Sequence, residues 1–237
     1  MTDATISMRD FLAPHAEPNT PPGSAQSFGF SSSLVTLTNP TSPEAEAIRG
    51  LRSHIVTQHL NMGRRALAVC GASVGIGTTF TATNLAVALS QIGVNTLLVD
   101  ANLQQPGLER LIRPQRPPLG LVRKLADDTP YEEFVDARVL PNLSVIYAGS
   151  PSASSMELLA SDRFKGLMDF CLRNFEATIV DTPPSNRSHG AKQISSVIGY
   201  SLIVAGKGRT FVKDVRTLSN QLTSDGVKVV GSVLCGA

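Results

Sequence analysis

The sequence predicts an α/β fold, a three-layer sandwich with a mostly parallel central sheet flanked by helices. Three observations carry this. Short runs of Val, Leu, Ile and Ala alternate with longer helical patterns from residue 66 onward, and such alternation implies βαβ crossovers and a parallel sheet. The 237-residue chain is 42% hydrophobic but only 5% aromatic, with no Trp, as suits a core of aliphatic strands buried on both faces. Two of those runs, at 97–100 and 177–181, end in an aspartate, and binding sites of α/β sheets lie at the carboxyl ends of strands.

The elements follow in order. Residues 1–32 are rich in Pro, Ser, Gly and Ala, and Pro14, Pro18, Pro21 and Pro22 forbid a long helix there. They read as a disordered leader, with residues 33–237 as the folded domain. Inside the leader, 8–12 (MRDFL) reads as a short docking motif or, more simply, as stray apolar residues. The stretch 34–37 (LVTL) reads as a strand. Ser42, Pro43 and Glu44 then open a helix to about His59: an N-cap, a proline at the first helical position and early acids. Further strands are expected at 66–70, 96–100, 142–147, 177–181, 201–205 and 227–234. Helices are expected at about 79–92, 119–126, 131–135, 156–175 with a break near Ser161, 191–198 and 212–224.

Composition excludes several functions. A formal net charge of +2 gives no global field for nucleic acid. Cys70, Cys171 and Cys235 are far apart in sequence, without CxxC or Cys/His spacing, and read as thiols of a reducing compartment. His15, His54, His59 and His189 are scattered, so no zinc site is expected. No apolar run approaches the roughly 20 residues of a membrane span, and the N-terminus lacks the apolar stretch of a secretory signal. The expected compartment is the cytoplasm.

The strongest local signal is Cys70-Gly71-Ala72-Ser73-Val74-Gly75-Ile76-Gly77-Thr78-Thr79. It lies between an apolar strand and a helix, where a phosphate-binding P-loop belongs. Its glycines allow backbone N–H groups to wrap an anion, and the helix N-terminus adds partial positive charge. Gly75, Ile76, Gly77, Thr78 and Thr79 are the nucleotide-binding candidates. Thr79 holds the position whose hydroxyl binds Mg²⁺, and Asp100 and Asp181 are the carboxylates placed to help it. Thr78, however, stands where such loops carry lysine, and no Lys, Arg or His occurs from Ala66 to Glu109. A lysine about 4 Å from a phosphate contributes about 4 kcal/mol at an effective dielectric near 20, so its loss weakens nucleotide binding by about 10²–10³-fold. Alone, the loop reads equally as a glycine-rich turn that binds nothing, and each carboxylate as a helix N-cap.

Taken in order, SPEAEAIRGLRSHI, the glycine loop, TNLAVALSQIGVNTLLVDANLQQPGL, AGSPSASSMELLAS and IVDTPP resemble the cytoplasmic bacterial tyrosine kinases (BY-kinases) of capsule and exopolysaccharide assembly. The resemblance runs from about Leu34 to Leu234. It implies a P-loop NTPase-like fold, ATP and Mg²⁺ as cofactors, and a ring-forming Glu-x-x-Arg-x-x-Arg motif, here Glu46, Arg49 and Arg52. It implies a membrane polysaccharide co-polymerase as partner, met at the cytoplasmic face of the inner membrane, and assembly as a homo-oligomer.

The catalytic motifs carry over less well. The family's loop lysine is Thr78. Its second aspartate after the second strand is Asn102, which cannot take a proton and so cannot be a general base. Gln104 and Gln105 follow where the family is basic. Of the three tyrosines, Tyr131, Tyr147 and Tyr200, none forms the C-terminal cluster that the family phosphorylates. The expectation is a regulatory or scaffold subunit with Asp100, Asn102 and Asp181 as vestiges of a catalytic site. The alternative is an active ATP-dependent tyrosine kinase or ATPase whose cation is rerouted, with Lys207 and Arg209 as candidates. Arg110, Arg113, Arg116, Arg123 and Lys124, broken by Pro114, Pro117 and Pro118, read as a solvated basic face, or otherwise as one turned to a membrane or an acidic partner.

Overall fold

The computed structural model describes residues 28–127 and 130–236. Most of the expected leader, including 8–12, lies outside the described residues. In chain order the elements are β1 (Phe28–Phe30), the single-turn α1 (Val35–Thr38), α2 (Pro43–Gln58), β2 (Ala66–Gly71), α3 (Thr78–Ser90), β3 (Thr96–Asp100), β4 (Ile112–Pro114) and α4 (Leu121–Ala126). There follow β5 (Asp136–Leu140), β6 (Leu143–Ile146), α5 (Ser155–Ala160), α6 (Asp162–Asn174), β7 (Ala177–Asp181), α7 (Gly190–Ile198), β8 (Tyr200–Gly206), α8 (Val212–Ser224) and β9 (Lys228–Cys235).

Seven strands form one sheet in the order β5-β6-β3-β7-β2-β8-β9. All neighbours are parallel except the edge pair β5–β6. The central strands β2, β3 and β7 are buried along their whole length, and their alternation supplies both faces. Leu97, Val99, Ala68, Cys70 and Val180 join Phe164, Leu167, Ile194, Leu218 and Leu222 on one side. Leu98, Leu67, Val69 and Ile179 join Ile55, Leu85 and Leu89 on the other. Each such side chain contributes roughly 1.5–3 kcal/mol on burial, so the three-layer sandwich follows from the aliphatic alternation. The expected helix boundaries hold where the caps are strong. The Ser42 hydroxyl accepts from Ala45 N at 3.1 Å with Pro43 following, and Ser161 closes α5 and caps α6.

Three expectations are corrected. Leu34–Leu37 is not a strand: 35–38 form one helical turn beside α3, where Gln91 Nε2 donates to Thr36 O at 3.1 Å and Asn84 Nδ2 to Ser33 O at 3.0 Å. These tertiary contacts override its β-branched composition. The leader's last residues, Phe28–Phe30, are a strand, paired antiparallel with Ile112–Pro114. Edge strand β5 was not legible either, because Asp-Ala-Arg-Val-Leu alternates weakly and its ladder is irregular between Asp136 and Leu140.

Among the described residues no helix is long and apolar enough to cross a membrane. Cys70 and Cys171 are buried and Cys235 is half-buried.

Candidate functional site

Strands β3, β7 and β2 are neighbours, so Asp100, Asp181 and the glycine loop emerge side by side at one sheet edge. Asp100 and Asp181 are register partners. The loop is shaped by backbone and packing. Gly75 and Gly77 have φ of 74° and 92°, a region glycine enters at little cost. Ile76, expected among the nucleotide-binding residues, instead turns its side chain inward. It is 2% exposed and fits against Gly71 and Gly206, where a Cβ would meet Ile76 Cδ1 at 2.7 Å and Ile76 Cβ at 3.1 Å respectively. It anchors the loop and leaves only its backbone to face an anion. Helix α3 starts after Gly77 with no side-chain cap, so its first-turn N–H groups are free of side-chain acceptors.

Thr78 folds back, its hydroxyl lying over the Cα of Gly71. Thr79 Oγ1 donates to Asp181 Oδ2 at 2.5 Å. Asp181 is 1% exposed, and its other oxygen, Oδ1, has no hydrogen-bond partner. Burial, reinforced by the neighbouring Asp100, raises the Asp181 carboxyl well above its usual range; the bonds from Thr79 and Thr182 only partly oppose this. Asp100 differs. Its Oδ1 accepts from Asn102 N and its Oδ2 from Gly107 N and Leu108 N, each at 3.0 Å. Burial still pushes it up to about 6. With three of roughly four acceptor sites taken, Asp100 is an anchor for the loop after β3.

The residues that fit Mg²⁺ are therefore Thr79 and Asp181. A hydroxyl and a carboxylate with one unpaired, buried oxygen are hard oxygen donors, and an orphaned oxygen of this kind calls for a partner. Asn102 lies on the same rim, its Oδ1 accepting from Gln105 N at 3.2 Å, which makes it a turn-former.

The sheet edge opens into a cleft whose lining comes from two stretches, a first wall of Gly75, Gly77, Thr78 and Thr79 and a second of Asn102, Gln104 and Gln105. Sequence reasoning missed the rest of that second wall: Arg110, Arg113 and Arg116 line it too. The expected basic face is thus divided. Arg123 pairs with Asp127 at 3.5 Å, and Lys124 is 5% exposed, over the Tyr131 ring at 4.3 Å. Arg209 does reach the glycine loop, donating to Gly75 O at 3.0 Å, but neither it nor Lys207 lines the cleft.

Glu46, Arg49 and Arg52 sit away from this edge on α2. Arg49 is ion-paired with Glu46 and also donates to Pro40 O at 2.7 Å. Arg52 donates to Ala88 O on α3 at 3.4 Å.

A parallel sheet in this order, a glycine loop leading from a buried strand into an uncapped helix, and two strand-end aspartates define a P-loop NTPase-like domain. No protein-family model matches the chain. It is 29% identical over 201 residues to the tyrosine-protein kinase ptk of Acinetobacter johnsonii, an alignment covering 85% of this chain and 27% of that protein. The chain thus spans about a quarter of that relative's length. The crystal structure of the chimerical protein CapA2B2 superposes with a TM-score of 0.78 at 28% identity, covering 88% of this chain and 92% of that one. The kinase domain of the Escherichia coli tyrosine kinase ETK superposes with a TM-score of 0.77 at 27% identity, covering 86% and 80%. These similarities to tyrosine-protein kinases and to their kinase domains support a place for the chain in the bacterial tyrosine kinase family.

Proposed function

We propose that the chain is a regulatory or scaffold subunit of exopolysaccharide (capsule or adhesive polysaccharide) biosynthesis and export. In this reading it holds Mg-nucleotide weakly and does not transfer the phosphoryl group efficiently. The observation that carries it is one contrast within the site. The Thr79–Asp181 pair keeps an open oxygen for a cation, while Thr78 and Asn102 stand in place of a cation and a base. Mg²⁺, when bound, neutralises phosphate charge. The chain's own part is to wrap the phosphates with the loop N–H groups and to hold the metal through Thr79 and Asp181. Phosphoryl transfer asks more of a site: a fixed positive charge and a group that accepts the nucleophile's proton.

Following its family, the subunit acts with a membrane polysaccharide co-polymerase at the cytoplasmic face of the inner membrane. It self-associates through Glu46, Arg49 and Arg52. The second reading, an active ATP-dependent tyrosine kinase or ATPase, draws on the arginines that line the cleft. Calorimetric titration of Mg-ATP and Mg-ADP, paired with a phosphotyrosine immunoblot, separates the two. Binding without phosphotyrosine or turnover above background is expected. ATP-dependent phosphotyrosine on this chain or on an added tyrosine peptide sinks the scaffold reading.

A further inference from the structure

We infer that Arg113 and Arg116, with Arg110 beside them, bind the polyphosphate of a nucleoside di- or triphosphate and so replace the missing loop lysine from the opposite wall of the cleft. The inference rests on the reading that the glycine loop still holds Mg-nucleotide, and it names the groups that supply the charge.

Four observations support it. The three arginines line the same cleft as Gly75, Gly77, Thr78 and Thr79, and the single acidic side chain among the lining residues is Glu109. The cleft therefore favours an anion, and the buried Asp181 Oδ1 beside Thr79 favours one that arrives with a divalent cation.

The guanidinium groups are also unspent. Arg49, Arg123 and Arg209 each have a partner, whereas among the described residues Arg110, Arg113 and Arg116 make no side-chain hydrogen bond or ion pair. A planar fork of five donors matches phosphate oxygens bidentately.

Next, the segment is held in position. Arg113 is the middle residue of β4, opposite Gly29, and strand alternation puts it outward while Ile112 is 0% exposed in the core. Tyr147 Oη donates to Ile112 O at 3.1 Å, Ser31 N to Leu111 O at 2.9 Å, and the strand's approach is tied to Asp100 at Gly107 and Leu108.

Finally, Pro114, Pro117 and Pro118 restrict the backbone around Arg116, which lowers the backbone entropy lost when the segment is ordered on a ligand.

The test is titration of Mg-ADP into the full chain at low salt, for the wild type, Arg113→Ala/Arg116→Ala, Thr78→Lys, and the three changes combined. Thermal melts check that all are folded; both arginines are exposed, so no unfolding is expected. The wild type should bind, and the double variant should bind about 10- to 100-fold more weakly, as loss of hydrogen bonds to a charged group implies. Thr78→Lys should restore affinity more in the double variant than in the wild type, because the two cation sources substitute for each other. Equal affinity of wild type and double variant overturns the inference and leaves the nucleotide reading standing. Binding that appears only after Thr78→Lys overturns the inference, and with it the reading that the native chain holds nucleotide. Absence of binding in both wild type and Thr78→Lys overturns the inference and the nucleotide reading together. Sedimentation with phosphatidylglycerol vesicles that depends on Arg113 and Arg116, with Mg-ADP affinity unaffected by them, assigns the arginines to a membrane surface and overturns it as well.

Discussion

The two walls of the cleft are built on different principles. The glycine-loop wall is backbone: two left-handed glycines, an inward Ile76 and an uncapped helix start. The facing wall, residues 102–118, has little regular structure. It is rich in proline and exposed arginine, and one carboxylate, Asp100, ties its start. A cradle of peptide N–H groups keeps its shape when a side chain changes, since its donors belong to the main chain. Charge belongs to side chains and can sit on either wall. The two aspartates divide in the same way: Asp100 is spent on the protein's own backbone, while Asp181 keeps an oxygen for something else.

The sharpest way to break this comparison is Asp100→Ala. One buried and two part-buried backbone N–H groups lose their acceptor, which costs about 3 kcal/mol, and the arginine wall should loosen. Urea unfolding reads the first effect and hydrogen exchange at 102–113 the second; a stability equal to wild type removes Asp100 from the role of anchor. On the opposite wall, Gly77→Ala places a Cβ on Cys235 Sγ at a φ of 92°. The expected cost is about 1–3 kcal/mol, with nucleotide binding lost. Cys235→Ala should recover part of the stability; no recovery means the strain is purely dihedral.

Asp181→Asn should change the stability of the free protein by no more than about 1 kcal/mol, because it removes a buried charge and keeps an acceptor for Thr79. It should abolish Mg²⁺-dependent stabilisation in a thermal melt. A variant that still responds to Mg²⁺ places the cation elsewhere.

Both carboxyls also predict a pH dependence. Asp100 is raised from 3.8 to about 6, and Asp181 shifts in the same direction. Between these pH values the folded state binds protons that the unfolded chain has released. The contribution of Asp100 to stability is therefore fully present below pH 3.8 and is lost as pH rises through about 6, and that of Asp181 is likewise lost as pH rises. Mg-nucleotide affinity runs the other way and should fall as pH drops, since a protonated Asp181 carboxyl competes with the cation. An affinity flat from pH 5 to 8 removes Asp181 from the binding site. The smallest expected effect is that of Arg49→Ala, an exposed ion pair worth about 0.5 kcal/mol. Its readout is oligomer mass by light scattering, and an unchanged mass removes Arg49 from the proposed interface.

Much of the fold was legible because local and global signals agree at the central strands. Ala66–Gly71, Thr96–Asp100 and Ala177–Asp181 are aliphatic on both faces, and Ser42-Pro43 caps α2 as its chemistry demands. The glycine loop with Thr79, Asp100 and Asp181 was legible for the same reason: strand ends in a parallel sheet converge wherever the strands are neighbours. The short elements were not legible. Phe28–Phe30 and Ile112–Pro114 make a ladder only with each other, across more than eighty residues of intervening chain, and neither has a pattern of its own. The turn at Val35–Thr38 takes its shape from α3.

The sequence by itself thus determined the α/β fold, the glycine loop between β2 and α3, and the threonine at position 78 where a P-loop carries lysine. Each of these is written in contiguous residues with a fixed period or spacing. Only the tertiary structure decided which aspartate is free, that Ile76 faces the core, and that Arg110, Arg113 and Arg116 line the same cleft as the loop they lie far from in sequence. These depend on strand order and on a long-range β1–β4 pairing, which no local window of residues encodes.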